Sequence, residues 1–403
     1  MSAYSTAPAA VTPTNHRFSL DADALAQRAE RRYGGHEFVA PVVLDALRRL
    51  TDSLESSAAL SARGRVLTYF DLLHLLDNAL QLQRIRLNRV SAAFEPIRAP
   101  MVITGLPRSG SAFLHRLLAE DPANRVLRRW EVTHPAEAVL GTPGLRLLAR
   151  AEMALARLLA PRLALNHPLM EDSPQECSEL MRISLMSLRF DSNYNVPGYR
   201  NWFGDSGEHG AYLFHGRVLQ MLQTQRHALA APMPRWVLSS PDHIFALPSL
   251  FAVYPDARLI LTYRDLAQVL PAQAHLTCTL RGMYSQSVNP QRVAAQELAR
   301  CSLGAELTVQ AAARHNAVTL SHRDIARHPL EAVRRIYQAH GMELSLEAQR
   351  RMEQFVHRHS CGDYSYNHYK LADYGYSART IADRFRADKT RVTGYIKPRV
   401  ALA

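Results

Sequence analysis

The apolar positions in the first part of the chain recur with helical spacing. From Leu20 to about Phe94 they fall three and four residues apart, as in Val42, Val43, Leu44, Leu47 and Leu50. This pattern predicts a helical N-terminal segment over residues 18–95. Residues 1–17 are rich in Ala, Thr, Ser and Pro and lack that spacing, so we expect a disordered lead there.

The pattern changes at residue 101, where an apolar, β-branched run precedes a glycine-containing loop and an amphipathic stretch. Residues 101–104 predict a buried strand, and the residues after Gly110 predict a helix. Gly105 and Gly110 permit backbone angles that other residues avoid. The N–H groups of such a loop point, together with the helix dipole, at an anion. We call residues 105–111 the cradle, and its candidate anion-binding residues are Pro107, Arg108, Ser109, Gly110 and Ser111.

The spacing from Gly105 to Gly110 copies that of a Walker A loop. The next position is Ser111, where a P-loop nucleotidase carries a lysine before its serine or threonine. An ordinary ATP-hydrolysing loop is therefore disfavoured. Arg108 offers a forked, permanently charged donor instead. The alternative interpretation is a strand-to-helix turn that binds nothing.

Residues 235–273 predict a strand-helix-strand unit of a parallel sheet. The expected elements are strands over residues 236–239 and 258–262, a helix over residues 243–254 and a second helix opened by Asp265. Arg264 then follows the carboxyl end of a buried strand, and open α/β sheets bind ligands along that edge. An anion is thus the favoured partner of Arg264, and a structural ion pair is the alternative.

A third unit, over residues 317–341, repeats this order. It predicts a strand through Leu320, a polar turn over residues 321–324 and a helix from Leu330 that ends before Gly341. The predicted fold class is therefore α/β, with a parallel sheet flanked by helices and preceded by the helical N-terminal segment.

Residues 128–144 predict a loop-rich link, and residues 144–164 predict an amphipathic basic helix. Leucines of this helix alternate with Arg146, Arg150, Arg157 and Arg162. A helix packed on the protein with solvated arginines is the favoured interpretation. A lid over an apolar acceptor and a peripheral contact with a membrane surface are the alternatives.

Charge narrows the choice of ligand. The 403 residues include 48 Lys and Arg against 36 Asp and Glu, and the net charge of +12 suits a polyanionic ligand, a nucleic acid or an acidic membrane face. The basic residues form no block and are not interleaved with aromatic residues, so nucleic acid is disfavoured as the ligand.

Four widely spaced cysteines predict free thiols. We find no secretory leader or membrane-spanning run, and we expect a cytoplasmic protein.

Together, these motifs resemble the PAPS-dependent sulfotransferases, specifically a bacterial branch. The resemblance covers most of the chain, in the order TGLPRSGSAFLHRLLA, RRWEVTHPAEA, HPLMEDSPQECSEL, RWVLSSPDH, YPDARLILTYRD, SHRDIARHPLEAVRRIY and HYKLADYGYS. It implies a P-loop-like α/β fold, with residues 96–403 as the sulfotransferase-like domain and a helical acceptor-side segment at about 140–230. It also implies transfer of the sulfuryl group of 3'-phosphoadenosine-5'-phosphosulfate (PAPS) to a hydroxyl or amine of a small, partly apolar acceptor, without a metal.

The resemblance also implies residue roles. Residues from Pro107 to Ser111, with Arg108 also catalytic, would hold the 5'-phosphosulfate, Arg264 would hold the 3'-phosphate, and Ser240 is a further donor-binding candidate. A base must take the acceptor proton, and His167 and Glu176 are the candidates. A histidine titrates near neutrality, and desolvation raises the pKa of a glutamate toward neutrality. A surface loop for His167 and a helix cap for Glu176 are the alternatives. His115 is expected to pack locally.

Three positions depart from the family pattern. Ala112 stands where the cradle usually has a second hydroxyl residue, Ser239 where the strand motif has a lysine, and Ala272 where a serine follows the 3'-phosphate arginine. Lost contacts to a charged donor weaken its binding unless neighbours such as Ser109, Ser240 or Arg323 compensate. The alternative function is therefore an altered or inactive homologue that binds a nucleotide or a protein.

Overall fold

A computed structural model of the protein describes residues 18–34, 38–88, 95–159, 170–227, 233–359 and 371–377. The lead expected over residues 1–17 lies outside these ranges. The described part is organised around one five-stranded parallel sheet with the strand order β2-β3-β1-β4-β5. The strands are β1 (Met101–Gly105), β2 (Asn124–Arg125), β3 (Arg235–Ser239), β4 (Arg258–Tyr263) and β5 (Val318–Ser321).

Strand β1 lies at the centre of the sheet and is buried on both of its faces. It pairs in parallel with β3 on one side and with β4 on the other, with Ile103 opposite Ser239 and Ile260. All five residues of β1 are buried, which explains its unbroken apolar run. The carboxyl ends of β3, β1, β4 and β5 therefore lie along one edge, and the predicted α/β class is confirmed.

Three helices form the N-terminal segment. They are α1 (Ala22–Arg31), α2 (Pro41–Ser57) and α3 (Ala62–Asn88). The Asp21 side chain caps α1 by accepting from the N–H of Ala24, and Pro41 opens α2. Leu47 and Leu76 of these helices belong to the same buried cluster as Val102 and Leu238 of the sheet. The helices thus share one continuous hydrophobic core with the sheet.

Helices fill the connection from β1 to β3. Helix α4 follows the cradle, and seven α-helices follow β2 within the described residues. The link expected over residues 128–144 is not loop-rich, because Pro135 and an αL glycine at Gly141 bound a helix there. The bounds are α4 (Ser111–Leu118), α5 (Arg129–Thr133), α6 (Pro135–Leu140), α7 (Leu145–Leu159), α8 (Cys177–Met181), α9 (Arg189–Asn193), α10 (Pro197–Trp202) and α11 (Glu208–His227).

The second half of the chain alternates strands with helices, with two differences from the prediction. The helix expected over residues 243–254 is split, because a 3₁₀ turn at Pro241–Phe245 ends before Pro248, which opens a new helix. The turn expected over residues 321–324 is the start of a helix capped by Ser321. The helices are α12 (Leu247–Val253), α13 (Leu266–Arg281), α14 (Pro290–Arg314), α15 (His322–Arg327), α16 (Pro329–Ala339) and α17 (Leu346–Arg358).

Two further features of the described residues bear on the predictions. None of their helices is both long enough and apolar enough to cross a membrane. Cys177, Cys278 and Cys301 are free thiols, and Cys361 lies outside the described residues.

The close approach of β1 to β4 yields a stability prediction. Gly105 has a φ of +123°, and a Cβ there would lie 2.2 Å from the carbonyl oxygen of Thr262. We expect Gly105→Ala to lower the free energy of unfolding by about 2 kcal/mol or more, because backbone must move to relieve the clash. Urea unfolding measures the change.

Gly204→Ala is the matched control, because its Cβ meets no atom within 4 Å and the residue lies in a helical turn. We expect its stability to equal or exceed that of the wild type. Equal loss in the two variants would contradict the proposed clash.

Candidate active site

The cradle connects β1 to α4 through a loop with two left-handed residues. Gly110, the N-cap of α4, has a φ of +92°, and Arg108 has a φ of +58°. A left-handed conformation is unusual for a residue with a long side chain and is typical of functional sites. The Arg108 side chain is half-buried and makes no hydrogen bond or ion pair with the residues that the structure describes. The loop therefore presents a charged donor at the N-terminus of α4.

The two serines of the cradle differ. Ser109 is fully buried, and its hydroxyl bonds the carbonyl of Leu106 and, at 2.7 Å, the hydroxyl of Thr262 on β4. Its side chain therefore holds the loop together, and only its backbone N–H remains to face a ligand. Ser111 is half-buried, and its hydroxyl has no partner among the described residues.

Arg264 meets the cradle directly. It follows β4, and its Nη1 donates to the carbonyl oxygen of Arg108 at 3.2 Å, while its Nε donates to Oε1 of Gln268 at 2.9 Å. Asp265 caps α13 and fixes the chain at this point. The structure thus brings together Arg108 and Arg264, two arginines that are 156 residues apart in sequence.

Glu176 lies at the same edge of the sheet. It precedes α8, and the thiol of the next residue, Cys177, bonds the backbone of Ser239 at the end of β3. The N–H of Ser240 in turn donates to the carbonyl of Ile103 on β1, two residues before the cradle. The segment of the candidate base therefore contacts β3, the strand next to β1, which carries the cradle. Glu176 is also the N-cap residue of α8, but its side chain makes no capping hydrogen bond.

Burial shifts the pKa of the Glu176 carboxyl. Burial raises the pKa of its carboxyl to about 7, with the Arg189 guanidinium opposing this shift and the Asp242 carboxylate adding to it. The Ser178 hydroxyl donates a hydrogen bond to Oε2 of Glu176 at 3.3 Å. A carboxyl with a pKa near neutrality exchanges a proton readily at physiological pH, as a general base must.

Glu179 has the opposite character. Burial alone would raise its pKa, but the guanidinium groups of Arg189, Arg182 and Arg129 lower it to about 2. Arg189 Nε lies 2.8 Å from Oε1 of Glu179, and Arg182 Nη1 lies 3.3 Å from Oε2. Glu179 is thus a permanent anion that holds two arginines beside Glu176.

Two residues beyond the predicted set fix the end of β3. Asp242 follows the strand and forms an ion pair with Arg300, whose side chain comes from α14. Arg300 also lies over the ring of Phe245, 5.6 Å from its centroid. Asp242 stands within the SSPDH motif, but no local pattern in α14 marks Arg300. Tertiary packing alone identifies this pair.

One histidine lies near Arg108 and another near Arg264. Burial lowers the pKa of His275 on α13, and Arg108 contributes to the shift. Burial also lowers the pKa of His322, at the start of α15, to about 4, and Arg264 contributes there. Burial and the neighbouring guanidinium thus both disfavour the charged form of each histidine. The sequence alone did not single out either residue.

The departures from the family pattern fall around this edge. Ala112 is exposed on α4, Ser239 is buried at the end of β3, and Ala272 is half-buried on α13. The hydroxyl of Ser240, offered as a replacement, is buried and accepts from the N–H of Asp242. Ser109 and Ser240 thus both use their hydroxyls inside the protein, and Arg323 is exposed at the start of α15.

The remaining candidates are quickly placed. His167 lies outside the described residues. His115 is buried on α4, its Nε2 lies 3.1 Å from the carbonyl oxygen of Val237, and burial lowers its pKa to about 4, so it packs locally as expected. Within the described ranges, no group of three or more His, Cys, Asp or Glu side chains is arranged to hold a metal ion.

The raised pKa of Glu176 yields a prediction about stability. Its carboxyl has a pKa of 4.5 as a free group and about 7 in the folded protein, so the native state binds the extra proton between these values. Wild-type stability therefore falls as the pH rises through this window. We expect the stability of Glu176→Gln relative to wild type to increase by on the order of 3 kcal/mol between pH 4.5 and pH 8.

Urea unfolding at a series of pH values measures this difference. Glu347→Gln, at an exposed i,i+4 ion pair on α17, is the control and should give a nearly flat difference. A flat difference for Glu176→Gln as well would show that its carboxyl titrates normally.

The arrangement has the parts that transfer of an anionic group requires. It combines an N–H-lined loop, two convergent arginines and a tunable carboxyl at the carboxyl edge of a parallel sheet. Comparison with known proteins identifies structures of the same fold. The crystal structure of sulfotransferase STF9 from Mycobacterium avium superposes with a TM-score of 0.82, at 22% identity, over 94% of this chain and 98% of that one.

A second crystal structure, of sulfotransferase STF1 from Mycobacterium tuberculosis H37Rv, superposes with a TM-score of 0.76 at 27% identity. The match covers 91% of this chain and 98% of the other. No curated protein matches the sequence significantly. The profile of the sulfotransferase family matches residues 100–346, more than half of the chain and all five strands. With its parallel sheet and cradle, the chain therefore belongs to the sulfotransferase family.

Proposed function

We propose that the protein transfers the sulfuryl group of PAPS to a hydroxyl or amine of a small, partly apolar acceptor. One observation carries the proposal: the Arg264 guanidinium contacts the cradle at Arg108, so two cations distant in sequence lie at one glycine-containing loop. A donor with a phosphosulfate at one end and a 3'-phosphate at the other needs two such cations.

The cradle is suited to the phosphosulfate. The N–H groups from Arg108 to Ser111 and the Arg108 guanidinium would bind its oxygens, and Arg264 would bind the 3'-phosphate. Sulfuryl transfer moves a group that is already charged, so fixed dipoles and cations at the leaving oxygen contribute more than a covalent nucleophile would. The half-buried Ser111 hydroxyl is a further donor to the same oxygens.

Glu176 is the proposed base. As the acceptor oxygen bonds to sulfur, the bond from sulfur to the 5'-phosphate oxygen breaks, and adenosine 3',5'-bisphosphate leaves with the electron pair. Glu176 takes the proton of the acceptor hydroxyl. A pKa of about 7 matches this role, because the carboxylate form is available at neutral pH and remains basic enough to accept the proton.

The proposal predicts ligand-dependent stability. Adenosine 3',5'-bisphosphate at 100 times its dissociation constant should stabilise the wild type by about 2.7 kcal/mol through mass action. Arg264→Ala should abolish the shift in melting temperature, and Arg350→Ala, at an exposed position on α17, should retain it. Differential scanning fluorimetry measures the shift.

Stabilisation by magnesium and ATP, without any by the bisphosphate, would contradict the proposed donor. Stabilisation of the wild type by the bisphosphate together with no transfer to any acceptor would indicate the non-enzymatic alternative.

The proposed base predicts a pH profile. kcat/KM for the acceptor should rise with pH up to about 7 and level off above it, because only the Glu176 carboxylate accepts the proton. Glu176→Gln should lower kcat by about 100-fold or more and remove the ascending limb. Steady-state kinetics from pH 5 to pH 9 test this expectation, with Glu347→Gln as the control. A limb that persists in Glu176→Gln would assign the base to His167.

A further inference from the structure

Arg129 differs from the other arginines near Glu176 because the described structure gives its side chain no partner. It opens α5, and its backbone N–H donates to the carbonyl of Ser173 at 3.2 Å, which ties it to the segment that leads to Glu176. The side chain is half-buried. Its Nε is closed off from solvent and makes no hydrogen bond within the described ranges.

Glu179, the carboxylate near Arg129, is already ion-paired with other arginines. The two oxygens of Glu179 lie in ion pairs with Arg189 and Arg182, and Arg182 pairs with Asp71 as well. The charge of Glu179 raises the pKa of Arg129, but the two side chains form no ion pair. Within this cluster, three guanidinium groups face two ion-paired carboxylates, while Glu176 is part-neutral near pH 7. The cluster therefore has an excess of positive charge.

A guanidinium that is partly buried and has no ion-pair partner is costly. Burial disfavours its charged form and lowers the pKa of Arg129, with Arg189 acting in the same direction and Glu179 opposing both. Arginine nevertheless stays protonated in proteins, so the charge remains and its Nε stays without a hydrogen-bond partner. An incoming oxyanion would offset the charge and accept hydrogen bonds from the terminal nitrogens of the guanidinium.

The position of Arg129 separates it from the donor. Arg264 follows β4, on one side of β1, whereas Arg129 follows β2, which lies beyond β3 on the other side. Glu176 precedes Cys177, whose thiol bonds the backbone at the end of β3, the strand between β2 and β1. An anion at Arg129 is thus on the far side of the base from the 3'-phosphate, where the acceptor would approach.

We propose that Arg129 binds an oxyanionic group of the acceptor, so that the substrate class is hydroxylated molecules that also carry a carboxylate or a phosphate ester. This inference rests on the proposed sulfuryl transfer and adds to it the recognition of acceptor charge. Arg129 is a specificity-determining residue in this view, and Glu176 remains the base.

Matched pairs of phenols test the inference. The pairs are 4-hydroxyphenylacetate with its methyl ester, for a carboxylate, and 2-(4-hydroxyphenyl)ethyl phosphate with the corresponding alcohol, for a phosphate. We expect the wild type to bind one acid about tenfold or more tightly than its neutral partner by calorimetry. The pair that shows the larger preference identifies the anion. Arg129→Gln should abolish the preference, and Arg129→Lys should retain part of it.

The control is Arg150→Gln, an exposed arginine on α7 that lies 3.9 Å from Glu171, and it should leave the preference unchanged. Circular dichroism and the shift with adenosine 3',5'-bisphosphate show whether each variant is folded and binds the donor product. A wild type that binds neither acid more tightly than its neutral partner, or an Arg129→Gln variant that keeps the preference, overturns the inference.

The two proposals fail in different ways. Bisphosphate binding and sulfuryl transfer without any preference for acids would leave the proposed function standing and remove the role of Arg129. An acid preference that depends on Arg129, in a protein that neither binds the bisphosphate nor transfers a sulfuryl group, would overturn the proposed function while supporting an anion site.

Discussion

The hydrogen bond from the Arg264 guanidinium to the carbonyl of Arg108 joins β4 to the cradle, and the geometry of this loop depends on it. Two more contacts act on the same loop from the same strand: the Ser109 hydroxyl meets Thr262, and Gly105 allows the backbone of β1 to approach Thr262. A loop held at several points keeps its N–H groups aimed before a ligand arrives, so binding requires little reorganisation. The left-handed backbone at Arg108 is sustained by these surroundings.

Burial and ion pairing set the pKa values of the two carboxyls near the cradle. Glu176 and Glu179 are three residues apart, yet burial leaves one with a pKa near neutrality while arginines hold the other as an anion. The difference arises from which carboxylate has ion-pair partners, because Arg182 and Arg189 both contact Glu179. Two neighbouring carboxyls of one short segment thereby acquire different chemistry.

The departures from the family pattern gain meaning from the contacts around them. Ser109 and Ser240 stand beside the altered positions, but each hydroxyl is bonded within the protein, one as a loop tie and one as a cap. The charge for a donor must therefore come from the arginines. Gln268, one helical turn before Ala272, orients Arg264 through its Nε. Two arginines and backbone N–H groups thus carry the proposed task of binding the donor.

The sequence by itself determined the sheet and the cradle. Strands buried on both faces read as apolar runs, and Gly105, Gly110 and Asp265 mark conformations or caps that few other residues adopt. It also placed Arg264 at the carboxyl edge, because parallel strands end together. It did not give the helix break before Pro248 or the helix that Ser321 caps, since short elements depend on local hydrogen bonds that composition does not reveal.

Only the tertiary structure decided the electrostatics of the site. The Arg300–Asp242 pair and the environments of Glu176 and Arg129 join side chains from separate helices, so no local spacing encodes them. Whether a charged side chain is matched or unmatched depends on burial and on neighbours distant in sequence. Those are properties of the packed chain, because the dielectric environment of a group exists only once the fold has closed around it.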